Sequence, residues 1–355
     1  MTQNIETHLR EALEKHIEPF SQCALLDYPD HLNAGDHLIW IGTCIFLVQT
    51  RGAKVTYTSS LVDFNQGELK EKNGSAPIFL QGGGNLGDIW PDSQKFREQV
   101  IQDNHDCPIY ILPQSIYFEN QSTLEEAKDV FNAHPNLTIF LRDNRSLELA
   151  RTYFPQTKTV LSPDMAFFLA PTLKSFFNEV EKIKNKFLVR ADKEANVLTQ
   201  TNDAKKSDSV VEDWHSYSWA YTGRGAACEL TGLCKQYPEC ANWVREYWQR
   251  GLSKPAWLGN RLRWRSLKPE SEIMQMMPNK AQSAFSWNMA FDAAMQIAEC
   301  RELTTDRLHA HILAVILVVK NTLLANSYHK NEQFFSTWTS EEKNSNFSNY
   351  RKCEA

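Results

Sequence analysis

The chain has 355 residues, 42% of them hydrophobic and 23% charged, which is an ordinary composition for a globular protein. This length exceeds what one hydrophobic core usually supports, so we expect two domains. The net charge of −5 argues against nucleic acid as the partner, and no apolar run approaches the ~20 residues that span a bilayer. We therefore expect a cytoplasmic protein.

Short apolar runs alternate with polar, helical stretches between residues 21 and 170. The predicted strands are residues 23–28, 53–59, 76–82, 107–115, 137–143 and 159–167. The predicted helices between them are residues 34–52, 92–104, 122–134 and 144–154. We expect a capping box of Ser122 and Glu125 to begin the third helix. The alternation predicts a Rossmann-like parallel sheet with helices on both faces, assigned to an N-terminal domain of residues 1–175.

A second unit follows in the chain. Its predicted elements are a strand at 187–192, a polar loop to about residue 213, a helix at 283–300 and a strand at 321–327. Between the last two, residues 302–319 read as a loop leading into an apolar helix that Thr304, Thr305 or Asp306 can cap. We assign residues 176–330 to a C-terminal Rossmann-like domain and 331–355 to a tail that can pack back on the first domain. Two sheet domains facing a cleft are the simplest interpretation.

Two glycine-containing turns follow predicted strands. Their candidate residues are Asn33, Gly35, Asp36, Gly82, Gly83, Gly84 and Asn85. Glycine at the carboxyl end of a parallel strand lets a ligand approach the backbone, and the next helix offers N–H groups to an anion. The alternative is two tight turns with Asp36 and Asp88 as helix caps. Because open α/β sheets bind ligands at this edge, the pair of turns favours a ligand site.

Cationic residues gather at the same predicted edge. Arg142 and Arg190 follow strands, Arg307 and His309 begin the apolar helix, and Lys330 follows the next strand. Arginine binds carboxylate or phosphate, and imidazole can transfer a proton near neutral pH. This cluster predicts a site for a small, strongly anionic ligand.

Each member of the cluster also has a structural interpretation. Arg142 can form an internal ion pair with Asp143 or Asp164, and His309 or His311 can be a buried histidine bonded to the backbone. The two histidines are two residues apart, so they cannot bind one metal ion from the same helix. No cysteine pair has zinc-site spacing. We therefore expect no metal and no cofactor.

In these turns, strand ends and the Arg307–His309 segment, the chain resembles the polysaccharide pyruvyl transferase family. The matching segments, in order over residues 33–338, are "AGDHLIW", "FLQGGGNLGD", "ILPQSIYF", "FLRDNRS", "SPDMAFFL", "FLVRADKE", "TTDRLHAHILAVIL" and "NSYHKNEQFFSTW". The resemblance implies two Rossmann-like domains facing a cleft, as in GT-B glycosyltransferases. It implies transfer of pyruvate, as a ketal, from phosphoenolpyruvate onto a sugar of a bacterial exopolysaccharide or cell-surface polysaccharide precursor. Arg307 and His309 are the implied donor-binding and catalytic residues.

Further donor-binding candidates surround these two residues. They are Arg142, Arg190, Leu308, Asn326, Ser327, Tyr328 and Lys330. Since a fold does not determine function, a glycosyltransferase that uses a nucleotide sugar is the alternative, and a carbohydrate-binding subunit without activity is a third hypothesis.

Residues 243–268 combine arginine, lysine and tryptophan. One interpretation is a helix pair with tryptophans in the core and arginines in solvent. The other is an acceptor-binding surface, because tryptophan faces bind sugar rings and arginine with tryptophan suits a membrane interface. The acceptor candidates are Trp257, Arg261, Arg263, Trp264 and Arg265. A lipid-linked oligosaccharide acceptor, met at the inner membrane surface, would fit this hypothesis.

Overall fold

The computed structural model describes residues 2–190, 209–214, 221–222, 229–230, 255–326 and 329–349. Within these residues the chain forms two parallel β-sheets with helices between the strands. The α/β class predicted from the sequence is therefore confirmed. The arrangement of two Rossmann-like domains about a cleft, as in GT-B enzymes, stays a prediction, and so do the proposed domain limits.

The first sheet is built from the N-terminal half of the chain. Its strands are β1 (Gln22–Leu26), β2 (Lys54–Ser59), β3 (Ile78–Leu80), β4 (Gly83–Gly87), β5 (Ile109–Tyr117), β6 (Leu137–Leu141) and β7 (Lys158–Leu161). The order is β2-β1-β3-β5-β6-β7, and β4 pairs in parallel with the carboxyl half of β5. Strand β6 is buried along its whole length, which explains why its sequence is a continuous apolar run.

Four helices of this half lie close to their predicted positions: α2 (Ala34–Cys44), α4 (Pro91–Asp103), α5 (Gln121–Ala133) and α6 (Asn144–Tyr153). Three further helices, for which no position was predicted, are α1 (Thr2–His16), α3 (Gln66–Asn73) and α7 (Ala170–Phe177). A π-helical turn, Ile45–Thr50, extends α2, and a 3-10 helix, Met165–Leu169, precedes α7.

Two local predictions for this half are wrong. The N-cap of α5 is Asn120, whose side chain accepts a hydrogen bond from the Ser122 N–H at 3.0 Å, so Ser122 does not begin a capping box. The strand predicted to reach residue 167 ends at Leu161. Pro163 has no N–H for the strand ladder, and the Asp164 side chain caps the 3-10 helix instead.

The second sheet has the order β14-β13-β12-β8-β9. Its parallel strands are β8 (Lys184–Leu188), β9 (Ser209–Glu212), β12 (Cys300–Thr305), β13 (Lys320–Leu324) and β14 (Ser345–Ser348), and a short antiparallel pair consists of β10 (Tyr221–Thr222) and β11 (Glu229–Leu230). Neither β12 nor β14 was predicted from the sequence. Strand β14 lies in the predicted tail, which also reaches the first sheet, since Trp338 Nε1 donates to the Arg142 carbonyl at 2.9 Å.

The helices of the second half are α8 (Pro255–Arg265), α9 (Glu270–Met276), α10 (Lys280–Ala298), α11 (Leu308–Ile316) and α12 (Lys330–Phe334), followed by a π-helical turn, Phe335–Thr339. Among the helices that the structure describes, none combines the length and apolar character needed to cross a bilayer.

Helix α2 connects the two halves of the molecule. It packs against α10, the 3-10 helix and α11. The approach to the 3-10 helix is so close that a Cβ on Gly42 would lie 2.1 Å from the Met165 carbonyl oxygen. Tyr28, in the loop before α2, donates a hydrogen bond from its hydroxyl to the Gln282 carbonyl of α10 at 3.0 Å. These contacts bring the loop after β1 next to the loop after β12.

Two fully buried histidines should make stability depend on pH. Burial lowers the pKa of His37 to about 3 and that of His311 to about 4, whereas in the unfolded chain both titrate near 6.5. Protonation therefore favours the unfolded chain. We expect the free energy of unfolding to be unaffected by these groups above about pH 6.5. Below it, the free energy should fall toward pH 4 by up to about 1.4 kcal/mol per pH unit for each histidine.

Urea unfolding between pH 7.5 and pH 5 measures this slope. His311→Gln removes one of the two titrations and should flatten the dependence, while His8→Gln, at an exposed position, should leave it unchanged. An equal slope in all three proteins would contradict the assignment.

Candidate active site

A cavity of about 650 Å3 lies where loops that follow strands of both sheets meet. The lining residues are 27–33, 81–82, 84–85, 90–93, 213–214, 306–309 and 330–331, together with Asp36, Leu61, Val62, Arg142, Arg190 and Asn326. Most of the residues predicted from the sequence as donor-binding or cleft residues are among them. Ser327 and Tyr328 lie outside the described residues.

The segment between β12 and α11 supplies the predicted catalytic residues. Strand β12 ends at Thr305, whose hydroxyl accepts a hydrogen bond from the Arg307 N–H at 3.0 Å. Arg307 is the N-cap of α11 and makes no side-chain capping bond. The predicted cap at Thr304, Thr305 or Asp306 is therefore wrong, and Asp306 instead accepts from the Arg190 N–H at 2.9 Å.

His309 sits in the first turn of α11 and is nearly buried, with 9% of its surface exposed. Its Nε2 lies 3.5 Å from Asp164 Oδ2, too far for a well-formed hydrogen bond, and has no hydrogen-bond partner in the part of the chain that is described. Burial would raise the pKa of Asp164, but His309 and Arg142 outweigh it and hold this pKa well below its usual range. Asp164 is therefore a carboxylate that can stabilise a protonated His309.

His309 also depends on a glycine of the neighbouring helix. A Cβ on Gly35 of α2 would lie 2.3 Å from His309 Nδ1 and 2.7 Å from its Cγ. Glycine at this position makes room for the imidazole. The glycine turn predicted that a ligand approaches the backbone at Gly35, but Gly35 itself is not among the lining residues.

Arg142 also binds the Asp164 carboxylate, which lies beside His309. Its Nη1 donates to Asp164 Oδ2 at 2.6 Å and its Nε to Ser115 Oγ at 3.0 Å. The internal ion pair that the sequence left open is thus present, and Arg142 lines the cavity as well. A Cβ on Gly84 would lie 2.9 Å from Arg142 Nη2 and 3.0 Å from Lys330 Nζ. The guanidinium and the ammonium therefore converge over this glycine.

Arg307 extends from the second sheet and is held by Asp213, which follows β9. Both its Nε and its Nη2 donate to the Asp213 carboxylate, the second at 2.7 Å. Such a two-point contact fixes the plane of the guanidinium. Burial raises the pKa of the neighbouring Asp306, and Arg190 and Arg307 oppose this effect only in part.

The glycine turns are supported by buried polar groups. Asn33 is the N-cap of α2 and accepts a hydrogen bond from the Gly35 N–H at 3.2 Å. Asn85 Oδ1 accepts from Arg97 Nη2 at 2.6 Å and from Gln114 Nε2 at 3.0 Å. Asp88, by contrast, accepts from two N–H groups before α5. Neither Asp36 nor Asp88 is a helix N-cap, so the capping alternative is wrong for both.

Several lining side chains carry a buried polar atom without a hydrogen-bond partner among the described residues. These atoms are Gln81 Oε1, Asp306 Oδ2, His309 Nε2 and Asn331 Oδ1. Buried polar atoms in folded proteins are nearly always hydrogen-bonded, to protein or to bound molecules. Atoms of this kind also occur elsewhere in the molecule, but those in the cavity wall are near enough to the open space that a polar ligand could supply their missing partners.

The predicted acceptor residues of α8 do not reach this cavity. Trp257, Arg261 and Trp264 are buried: Trp264 stacks on Trp287 with ring centroids 4.0 Å apart, and Arg261 pairs with Asp292. The other two are less buried. Arg263 is exposed and its guanidinium lies over the Phe176 ring, and Arg265 is half-buried and donates from Nε to Asn288 Oδ1. The structural interpretation of this segment, with its tryptophans in the core, therefore fits its described part. Residues 243–254 lie outside the described residues.

Asp164 and Asp213 are the functional candidates that sequence reasoning missed. Asp164 entered the sequence analysis only as an ion-pair partner of Arg142, although the segment "SPDMAF" at a strand end was a usable signal. Asp213 lies 94 residues from Arg307 in the chain, and no local pattern marks it.

In the described part of the chain, no cluster of histidine, cysteine and carboxylate residues could hold a metal ion.

Comparison with known proteins gives one consistent family. The model of the family described as polysaccharide pyruvyl transferase matches residues 33–223. EpsO of Bacillus subtilis, which is named as a pyruvyl transferase, is 30% identical over 90% of this chain and 85% of its own length. Pyruvyl transferase 1 of Schizosaccharomyces pombe is 25% identical over 95% of this chain and 75% of its own. A solved structure of a functionally uncharacterized Klebsiella pneumoniae protein matches 98% of the chain and 99% of its own length, with a TM-score of 0.57 and 18% identity, and shows the fold alone.

Proposed function

Because this chain belongs to the polysaccharide pyruvyl transferase family, we propose that it transfers pyruvate from phosphoenolpyruvate, as a cyclic ketal, onto a sugar of a bacterial exopolysaccharide or cell-surface polysaccharide precursor. The observation that carries this proposal is His309, beside the Asp164 carboxylate, in a cavity lined by Arg142, Arg190, Arg307 and Lys330. Family membership does not favour the alternative, a glycosyltransferase that uses a nucleotide sugar.

The cations of the cavity suit the charges of phosphoenolpyruvate. Arg142 Nη2 and Lys330 Nζ lie around one point above Gly84, where they can hold a phosphate group. Arg307, with its guanidinium plane fixed by Asp213, can bind a carboxylate through two hydrogen bonds. Cations held in place before the reaction stabilise the departing phosphate at little reorganisation cost.

His309 is the proposed proton donor. A proton from its imidazolium adds to the methylene carbon of phosphoenolpyruvate, and the first sugar hydroxyl attacks the neighbouring carbon and loses its proton. The bond from that carbon to the phosphate oxygen then breaks, its electron pair leaves with the phosphate, and the second hydroxyl closes the ring. Of the two hydroxyl protons, one balances the proton added to the methyl group and the other ends on phosphate. Asp164 stabilises the charged imidazole between these steps.

Ligand-dependent stability and phosphate release test this proposal. We expect phosphoenolpyruvate to raise the melting temperature, because a ligand stabilises the state that it binds. Inorganic phosphate should appear only when a glycan acceptor is also present. Stabilisation by a nucleoside diphosphate and not by phosphoenolpyruvate would contradict the proposal and support a nucleotide-sugar donor.

Replacement of Arg307 should weaken donor binding more than it slows turnover. Arg307→Ala removes a charged partner of the proposed carboxylate, a contact worth about 1.5–3 kcal/mol, so we expect the Kd for phosphoenolpyruvate to rise about 10- to 100-fold. Titration calorimetry measures this change. Arg263→Ala, at an exposed position on α8, is the matched control and should keep the wild-type Kd. An unchanged Kd in Arg307→Ala would remove Arg307 from the donor site.

A further inference from the structure

The charges of the cavity wall are divided between its two sides. Apart from Arg142, the fixed cations come from the second-sheet half, as Arg190, Arg307 and Lys330. That half also contributes two carboxylates, but both are engaged with its arginines: Asp213 accepts from the Arg307 guanidinium and Asp306 from the Arg190 N–H. The loops after β1 and β2 and the start of α4 contribute the carboxylates of Asp27, Asp30, Asp36 and Asp92 and, among the described residues, no lysine or arginine. An anionic donor therefore has one favourable side, and the carboxylate-lined side is left for a ligand of different chemistry.

A tryptophan stands on the carboxylate-lined side. Trp90 is the N-cap residue of α4, lines the cavity and keeps 38% of its surface exposed. Most other described tryptophans are buried; Trp257 and Trp264, for example, pack in the core. An exposed indole face at a cavity wall is a good surface for the apolar face of a sugar ring.

The helix that follows Trp90 is anchored to the rest of this side of the cavity. Arg97, seven residues beyond Trp90 in α4, is fully buried and donates to Asp27 Oδ2 at 2.6 Å and to the Asn85 carbonyl at 2.9 Å. These bonds tie α4 to the loop after β1 and to β4. Trp90 therefore stands at the start of an anchored helix rather than in an isolated loop.

Gln81, which carries a buried acceptor atom, lines the same side. Gln81 follows β3 and is 4% exposed, and its Nε2 donates to the Asp36 carbonyl at 3.2 Å. Its Oε1 is buried and has no hydrogen-bond partner in the described residues. A hydroxyl group could donate to this atom, and so could be held close to Asp36. Ionised carboxylates also only accept hydrogen bonds, so this side offers acceptors to a ligand rich in hydroxyl donors.

We propose that this side of the cavity is the acceptor subsite, in which a neutral pyranose ring lies on Trp90 and donates hydroxyl hydrogens to Gln81 and Asp92. The proposal rests on the proposed function, and it adds a charge selectivity: neutral pyranoses are accepted, and uronic acids are disfavoured. A uronate would bring its carboxylate against Asp30 and Asp92, and like charges in a partly desolvated site repel. The subsite replaces the acceptor surface expected on α8.

The first test separates the Trp90 contact from donor binding. We expect Trp90→Ala to raise the acceptor KM about three- to tenfold, with a smaller change in kcat and the same Kd for phosphoenolpyruvate. Trp90→Phe retains a flat ring and should recover most of the loss. Met276→Ala removes another exposed apolar side chain, outside the cavity, and should behave as wild type. An unchanged acceptor KM in Trp90→Ala would overturn the subsite.

The second test addresses charge selectivity. Saturation-transfer NMR with methyl glycosides of glucose, galactose, mannose, N-acetylglucosamine and glucuronic acid measures binding without turnover. We expect neutral glycosides to bind at least threefold more tightly than the glucuronide, and Asp92→Asn to lose most of this difference. Asp103→Asn, at the far end of the same helix, is the matched control. Wild-type protein that binds glucuronide as well as glucoside, or that binds no neutral glycoside, would overturn the proposal. Glycoside binding without phosphate release would instead contradict the proposed function and leave the subsite standing.

Discussion

Replacement of His309 by alanine should lower kcat by about 10²–10⁴-fold, the usual loss when a positioned proton donor is removed. The imidazole lines the cavity, its Nε2 is buried without a hydrogen-bond partner among the described residues, and Asp164 lies 3.5 Å away to stabilise its charge. The cations that we assign to donor binding remain in the variant. We therefore expect the Kd for phosphoenolpyruvate to change only a few-fold while turnover is lost.

His311→Ala is the matched control for this prediction. His311 lies on the same helix two residues further on, is fully buried, and bonds to Asn321 and Thr339 at 2.7 and 2.8 Å. It does not line the cavity. We expect this variant to be less stable but to keep most of its kcat per folded molecule. A His309→Ala enzyme with near-normal kcat would refute the assignment of His309.

Gly35→Ala should reduce turnover nearly as strongly, although Gly35 touches no substrate in our account. The new methyl carbon would lie 2.3 Å from His309 Nδ1, so the imidazole must move from its place beside Asp164. A displacement of about 1 Å of a catalytic group can cost about 100-fold in rate. We expect kcat to fall by that order, with the Kd for phosphoenolpyruvate much less affected.

Substitutions of two other glycines serve as controls for the Gly35→Ala prediction. Gly259→Ala meets nothing within 4 Å in α8 and should leave kcat unchanged. Gly42→Ala would place its Cβ 2.1 Å from a backbone oxygen, which cannot move aside as a side chain can, so it should lower stability first. Wild-type kcat in Gly35→Ala would show that the position of His309 tolerates the added carbon.

The sequence allowed the fold class to be predicted because buried parallel strands are short apolar runs. "LTIFL" is such a run, and the strand lies at Leu137–Leu141, as predicted at its start. Strands β12 and β14 lack that signal: "CRELTT" and "SNFS" are mostly polar, β12 has exposed and half-buried positions between its buried ones, and β14 is buried only at Ser345. Their pairing with neighbouring strands, which no local pattern records, makes them strands.

The site shows the same division between local and distant information. Arg307 and His309 could be proposed as site residues because charged groups before an apolar helix are unusual in the sequence itself, and both line the cavity. The support that they receive from Asp213 and Asp164 depends on contacts across the fold. For Trp264 the local sequence leaves two interpretations open. Tryptophans between arginines fit either a sugar-binding surface or a hydrophobic core, and the stacking on Trp287 decides for the core.

The most direct test of the account is the reaction of phosphoenolpyruvate with a neutral glycoside in ²H₂O, followed by NMR and mass spectrometry. If His309 donates a solvent-exchanged proton to the methylene carbon, the product is a ketal whose methyl group carries one deuterium, and one phosphate is released for each ketal. Phosphate release without a ketal, or a ketal with an unlabelled methyl group, would contradict the account.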